Sequence, residues 1–203
     1  LKTNKTKLKK LLLKKESFIM PKQPPTDPKK RKGLIIVNTG DGKGKSTASF
    51  GLALRAAGNK MNVFIMQFMK GQWKAGERKS FEKLSPYVEF EAMGDGFTWD
   101  TNNVEQDKAT ARKAFEVAKE KLLSGKYQMV IFEEINYVLH YQFLPETEFI
   151  DLLLKKPEST HVVCTGRDAS EKLIEIADLV TEMKMIKHPF EEQGIPAQKG
   201  IEF

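Results

Sequence analysis

The residues best suited to chemistry are Thr39-Gly40-Asp41-Gly42-Lys43-Gly44-Lys45-Ser46-Thr47. Glycines at 40, 42 and 44 let the backbone curl so that successive N–H groups point inward at an anion. Lys45 brings a mobile positive charge to the outer phosphates of a bound nucleotide, and the Ser46 hydroxyl suits a magnesium ion. Such a loop needs a strand before it and a helix behind it, and both are present. The apolar run Leu34–Asn38 enters the loop, and Ala48-Ser49-Phe50-Gly51-Leu52-Ala53-Leu54 has helical spacing. A helix starting near Lys45 adds unpaired N–H donors and the positive end of its dipole. The loop departs from the common phosphate-loop pattern at one place. Thr39 occupies the slot of the first glycine, Gly40 follows it, and Lys43 adds a second lysine. The pattern predicts binding of a nucleoside triphosphate through residues 39–47.

A second group lies downstream. Val130-Ile131-Phe132-Glu133-Glu134 is an apolar strand ending in acid, the usual place for a carboxylate that holds magnesium beside such a loop. Neighbouring side chains on a strand point to opposite faces. If the strand runs through both acids, only one of them faces the phosphates. The three histidines, His140, His161 and His188, have no metal-ligand spacing, and His161 opens an apolar run that reads as structural. The single cysteine, Cys164, lies in that run and reads as a small hydrophobe. No Ser/His/Asp or Cys/His arrangement stands out. The attack on the nucleotide is therefore not expected from a protein side chain. The loop Gly94–Asp100 is unusual: Phe97 and Trp99 flank a threonine in a polar, glycine-rich stretch, where exposure would waste roughly 150–250 Å² of apolar burial each.

The elements that must position these groups follow from periodicity. The chain has 203 residues, 40% hydrophobic and 30% charged, the size and balance of one soluble globular domain. The net charge of +7 is unevenly spread. Residues 1–32 carry a net +10 and the rest a net −3, so the folded part is slightly acidic and a nucleic-acid groove is not indicated. No apolar run reaches the roughly 18 residues of a membrane span. Residues 1–32 read as a lysine-rich tail and Pro-rich linker, with Leu8, Leu11 and Leu12 at helical spacing and Met20 a candidate start. Residues 33–203 read as one domain.

From Gly33 onward, strand and helix patterns alternate, the signature of an α/β fold with a mostly parallel sheet and helices on both faces. Strands are expected at Leu34–Asn38, Met61–Phe68, Tyr87–Ala92, Tyr127–Phe132, Thr160–Thr165 and Leu179–Met185. Helices are expected at Lys45–Ala57 (with Gly58 as its cap), up to Leu84, at Val104–Leu123, up to Tyr141, at Pro145–Lys155 and at Ala169–Ala177. Lys187–Phe203 shows no periodicity.

Taken together, these residues make the chain resemble the ATP:corrinoid adenosyltransferases of the CobA/CobO/BtuR type. The resemblance spans Gly33–Phe203. It is carried by Thr39–Thr47, Gln67-Phe68-Met69-Lys70-Gly71, Gly76-Glu77, Gly96-Phe97-Thr98-Trp99, Glu133-Glu134-Ile135-Asn136-Tyr137, Thr165-Gly166-Arg167, Ala177–Met183, Lys187-His188-Pro189-Phe190 and Ala197–Phe203. It implies a P-loop NTPase fold of the RecA-like type and transfer of the 5′-deoxyadenosyl group of ATP to the Co(I) of cobalamin or another corrinoid, with release of triphosphate. Co(I) is itself a strong nucleophile, which accounts for the missing protein nucleophile. The resemblance further implies that ATP lies reversed in residues 39–47, with Lys45 and Lys43 stabilising the leaving triphosphate. Ser46 and Glu134 would hold Mg2+, and Phe97 and Trp99 would pack under the corrin and exclude its lower ligand. Glu133 stands where the family commonly has aspartate. A flavodoxin-type electron donor, a homodimer and a cytoplasmic location are implied in the same way. Two other readings stand beside it. One is a P-loop ATPase or kinase cleaving at the γ-phosphate; the other is a nucleotide-gated corrinoid carrier.

Overall fold

The computed structural model describes residues 27, 31–69, 76–93 and 103–202. The chain divides into two units, Leu1–Arg31 and Lys32–Phe203. In the first, only Asp27 and Arg31 are described, both exposed. The second is an α/β unit built on six strands.

In chain order its elements are β1 (Ile35–Thr39), α1 (Lys45–Gly58), β2 (Val63–Gln67), α2 (Gly76–Glu82), β3 (Val88–Ala92), α3 (Val104–Leu123) and β4 (Met129–Glu133). Then come α4 (Ile135–His140), α5 (Glu146–Leu154), β5 (His161–Thr165), α6 (Glu171–Ile176), β6 (Leu179–Glu182) and α7 (Pro189–Gln193). The strands form one sheet in the order β3-β2-β4-β5-β1-β6, and every pair in it is parallel. Parallel neighbours need crossovers, and the helices supply them on both faces.

Successive side chains along the strands enter two different cores accordingly. Ile35, Val37, Phe64, Met66, Val130, Phe132, Val162 and Cys164 enter one core, together with Phe115 of α3 and Phe149 of α5. Ile36, Val63, Ile65, Met129, Ile131 and Val163 enter the other, against Phe50 of α1 and Phe81 of α2. Because both faces are covered, β1, β2 and β4 are buried at every position. On β6, at the edge, all four residues are exposed.

Local chemistry sets the element ends. The Asn103 side chain accepts from Gln106 N–H to cap α3, and Ala111, Ala114, Phe115, Ala118 and Leu122 form its buried stripe. The Ser170 hydroxyl accepts from Leu173 N–H at the start of α6. Most strand and helix ends fall within one to three residues of the sequence expectation, and the differences around three helices have local causes. Gly58 is the last residue of α1 and Asn59 caps it, because the Asn59 amide still reaches Ala56 O. Pro145 stands before α5 as its cap residue rather than inside the helix. The stretch 187–203, too short in apolar pattern to show a period, contains α7, opened by Pro189 and closed by Gly194 in the left-handed region. Among the described residues no helix is long and apolar enough to cross a membrane.

The order of strands has one functional consequence. β5 lies between β1, which feeds the glycine-rich loop, and β4, which ends in the acid pair. In open parallel sheets the crevice beyond the carboxyl ends of the strands is where ligands bind. Here the buried polar side chains Thr39, Gln67, Glu133, Glu134, Asn136 and Thr165 gather at those ends.

Candidate functional site

The loop between β1 and α1 is shaped by what packs behind it. The Met183 amide donates to Thr39 O at 2.7 Å and the Gly42 amide to Met183 O at 2.6 Å. The chain leaving β6 therefore lies directly against the loop. A β-carbon on Gly40 or Gly42 would come within 2.6–2.7 Å of Met183 O, so glycine is required at both positions by close approach. Gly44 has φ 109, the left-handed conformation that turns the chain into α1.

Inside the loop, the Lys45 ammonium donates to Gly40 O at 2.6 Å and Gly42 O at 2.7 Å. Its charge is thus held over the loop by two backbone carbonyls. Lys43 reaches the other way, to Glu202 Oε2 at 2.5 Å. Asp41 lies 3.7 Å from the Arg167 guanidinium. Thr39, expected at the nucleotide, uses its hydroxyl to accept from Ala169 N–H at 3.2 Å, which ties the loop to the segment after β5.

The acid pair separates. β4 ends at Glu133, a fully buried side chain. Its Oε1 accepts from the Ser46 hydroxyl at 2.6 Å and its Oε2 from Gln67 Nε2 at 3.0 Å. This brings the ends of β4 and β2 to the start of α1. Glu134 leaves the strand: with φ 63 it takes the left-handed conformation, unusual for a residue with a β-carbon and costing of order 1–3 kcal/mol. Its amide donates to the Thr165 hydroxyl at 2.9 Å, and its Oε2 lies toward Gly166. Asn136 Nδ2 completes this corner by donating to Gly166 O at 2.9 Å. Burial, and then the Glu134 charge, push the Tyr137 hydroxyl above its ordinary pKa, so it stays protonated beside the acid. Ser46 thus shares its hydrogen bond with Glu133, while Glu134 is directed to the β5 end.

The structure therefore unites Lys45, Ser46 and Glu133, and places Lys43 at the rim. Phe97 and Trp99 lie outside the described residues. Sequence reasoning gave no role to Gln67, Thr165 or Glu202. Gln67 carried a signal, an amide between Met66 and Phe68 in an apolar run; Glu202 had none, since its partner is remote in sequence. Cys164 is fully buried with its thiol pushed far above the ordinary range by desolvation, which excludes it as a nucleophile.

The family model described as ATP:corrinoid adenosyltransferase BtuR/CobO/CobP matches residues 31–203. A corrinoid adenosyltransferase of Sinorhizobium sp is 50% identical over 174 residues, covering 85% of this chain and 81% of that protein. One of Escherichia coli (strain K12) is 42% identical over 172 residues, covering 85% and 86%. Among solved structures, the flagellar accessory protein FlaH from Methanocaldococcus jannaschii aligns with a TM-score of 0.46 at 16% identity, covering 74% of this chain and 70% of that one.

Proposed function

The chain belongs to the ATP:corrinoid adenosyltransferase family, and from that premise we propose that it transfers the 5′-deoxyadenosyl group of ATP to the Co(I) of a corrinoid. The cobalt electron pair forms a bond to C5′, the C5′–O5′ bond breaks, and triphosphate leaves with its electron pair. Co(I) needs no general base. The protein's part is to hold C5′ in line with cobalt and to stabilise charge on the departing triphosphate.

The observation that carries this reading is the Lys45–Ser46–Glu133 arrangement at the glycine-rich loop. Lys45 exchanges the carbonyls of Gly40 and Gly42 for phosphate oxygens, the unpaired N–H groups of the first turn of α1 offer further donors to the same anion, and Lys43 adds a second cation. Mg2+ fits the donor set, because the Ser46 hydroxyl and the Glu133 carboxylate are hard oxygen ligands already in contact. Among the described residues no group of three or more His, Cys, Asp or Glu could hold a metal, so the triphosphate itself would complete the coordination. When bound, the ion neutralises charge on the leaving group. Glu134, the magnesium glutamate by resemblance, is the second acid of this site.

By the resemblance, Phe97 and Trp99 would lie under the corrin, where removing the lower axial ligand makes Co(II) easier to reduce. A flavodoxin-type donor supplies the electron, the enzyme works as a homodimer in the cytoplasm, and residues 1–32 are a tail ahead of the catalytic domain.

The test is anaerobic incubation with ATP, magnesium and chemically reduced cob(I)alamin, followed by product analysis. Equal amounts of adenosylcobalamin and triphosphate are expected. ADP without a cobalt–carbon product would replace this reading with cleavage at the γ-phosphate.

A further inference from the structure

We propose that Glu202 is the resident counter-ion of Lys43, and that it limits how tightly the loop holds a triphosphate so that the product can leave. This deepens the reading above and rests on it.

The Lys43 ammonium is paired with Glu202 Oε2 at 2.5 Å. A turn presents the acid: the amides of Ile201 and Glu202 both donate to Gln198 O, at 3.1 and 2.9 Å, with Gly200 at φ 81. The turn inverts the ordinary order of burial. Ile201 is 80% exposed, whereas the Glu202 side chain is only 20% exposed. Solvation alone would put the isoleucine in and the carboxylate out. The turn on Gln198 and the ion pair with Lys43 together hold the acid against the loop.

The two loop lysines therefore face different competitors. Lys45 rests on neutral carbonyl dipoles, while Lys43 rests on a full negative charge. A triphosphate that engages Lys43 either displaces Glu202 or shares the ammonium with it, since lysine has three N–H donors. In both cases the carboxylate charge opposes the triphosphate, so the sign of the effect is the same. The effect falls harder on product than on substrate. Breaking C5′–O5′ leaves the triphosphate with one more anionic oxygen than it carried in ATP, which strengthens its hold on two lysines. A carboxylate waiting to reclaim Lys43 shifts the balance toward release.

The test is calorimetric titration of the full chain with inorganic tripolyphosphate and, separately, with ATP. The wild type is compared with Glu202→Gln, Lys43→Met and the double variant, with thermal unfolding of each as a check on folding. Glu202→Gln is expected to bind tripolyphosphate about three- to fivefold more tightly, with the gain shrinking as salt is raised. Tripolyphosphate should inhibit its turnover correspondingly more strongly. Glu202→Asp, which keeps the charge, should stay near wild type. In the Lys43→Met background, Glu202→Gln should change nothing. Equal or weaker binding by a folded Glu202→Gln would reduce Glu202 to a brace for the loop and overturn the proposal. An equal gain in the Lys43→Met background would also overturn it, because Glu202 would then act by bulk charge. If the wild type bound neither ligand, the phosphate-loop reading itself would fail and take this inference with it.

Discussion

The two ends of the sheet are both polar, yet they are polar in different ways. At the amino ends of the strands, side chains tie backbone to backbone. Asp178 accepts from Ile35 N–H at 2.9 Å and pairs with Lys32. His161 Nδ1 accepts from Leu34 N–H at 3.1 Å. Lys156 donates to Gly33 O at 2.8 Å, and Gln128 Oε1 accepts from Asn62 N–H at 2.8 Å. At the carboxyl ends, side chains are tied mostly to one another and to loop carbonyls: Ser46 and Gln67 to Glu133, Lys45 to Gly40 and Gly42. Left-handed backbone at Gly40, Gly44, Glu134, Gly166 and Asp168 gathers at this end. The lesson is that polar residues at a strand end identify neither stability nor function by themselves. Ties that satisfy strand backbone hold the fold, whereas polar atoms held on strained loops can exchange partners for a ligand.

The sharpest way to break this contrast is Lys45→Ala. Removing the cation proposed to stabilise the leaving triphosphate should slow turnover about 10²–10³-fold with chemically made Co(I) and with the reductant-coupled assay alike, while thermal unfolding barely moves. Undiminished rates would take Lys45 out of the site. Phe97→Ala and Trp99→Ala should split the assays instead. Turnover from Co(II) with a protein reductant should fall about tenfold or more, and turnover from preformed Co(I) should be largely spared; equal losses in both would assign the aromatics to binding or folding only.

The acid pair offers a finer division. Glu133→Gln should raise the magnesium concentration needed for half-maximal rate, because it removes the carboxylate that meets Ser46. Glu134→Gln should alter that requirement less. A larger magnesium effect at Glu134 would return the metal to the second acid.

The smallest effects are expected at the opposite end of the sheet, and on stability rather than rate. Asp178→Ala leaves Ile35 N–H without its acceptor, a loss of about 1–2 kcal/mol readable as a lower Tm with kcat unchanged. The bonds from Lys32 and Ile35 N–H hold the Asp178 carboxyl below its ordinary pKa. Its contribution is therefore present above the unfolded value of about 3.9 and is lost as pH falls through the lower folded value. His161 is shifted downward by burial and then by the Lys156 charge. The unfolded chain thus binds more protons below about pH 6.5, and stability should decline as pH drops from there toward the folded pKa. His161→Asn should flatten that decline in melts recorded between pH 7 and 5. A drop in kcat from either variant, with the fold intact, would blur the division between the two ends.

Much of this was legible before any coordinates. The strand–loop–helix at 34–54 was readable because its parts are adjacent: β-branched residues, three spaced glycines and Gly44-Lys45-Ser46-Thr47 leave the backbone few alternatives. The helix at Val104–Leu123 was readable to the residue, since its apolar stripe repeats within the helix itself. Helix α7 was missed because five residues do not make a period. The division between Glu133 and Glu134 was foreseen as a question, but its answer depended on where β4 stops. That is decided by the Thr165 hydroxyl receiving the Glu134 amide from the neighbouring strand.

The sequence by itself determined the family, the alternation of strand and helix, and the glycine-rich loop between β1 and α1, because those depend on residue types at short spacing. Tertiary structure alone decided the strand order that puts β5 between the loop strand and the acid strand. It also decided which acid meets Ser46, and that Met183 and Glu202 close around the loop. Those contacts join residues far apart in the chain, and they form only when parallel strands bring their carboxyl ends to one edge.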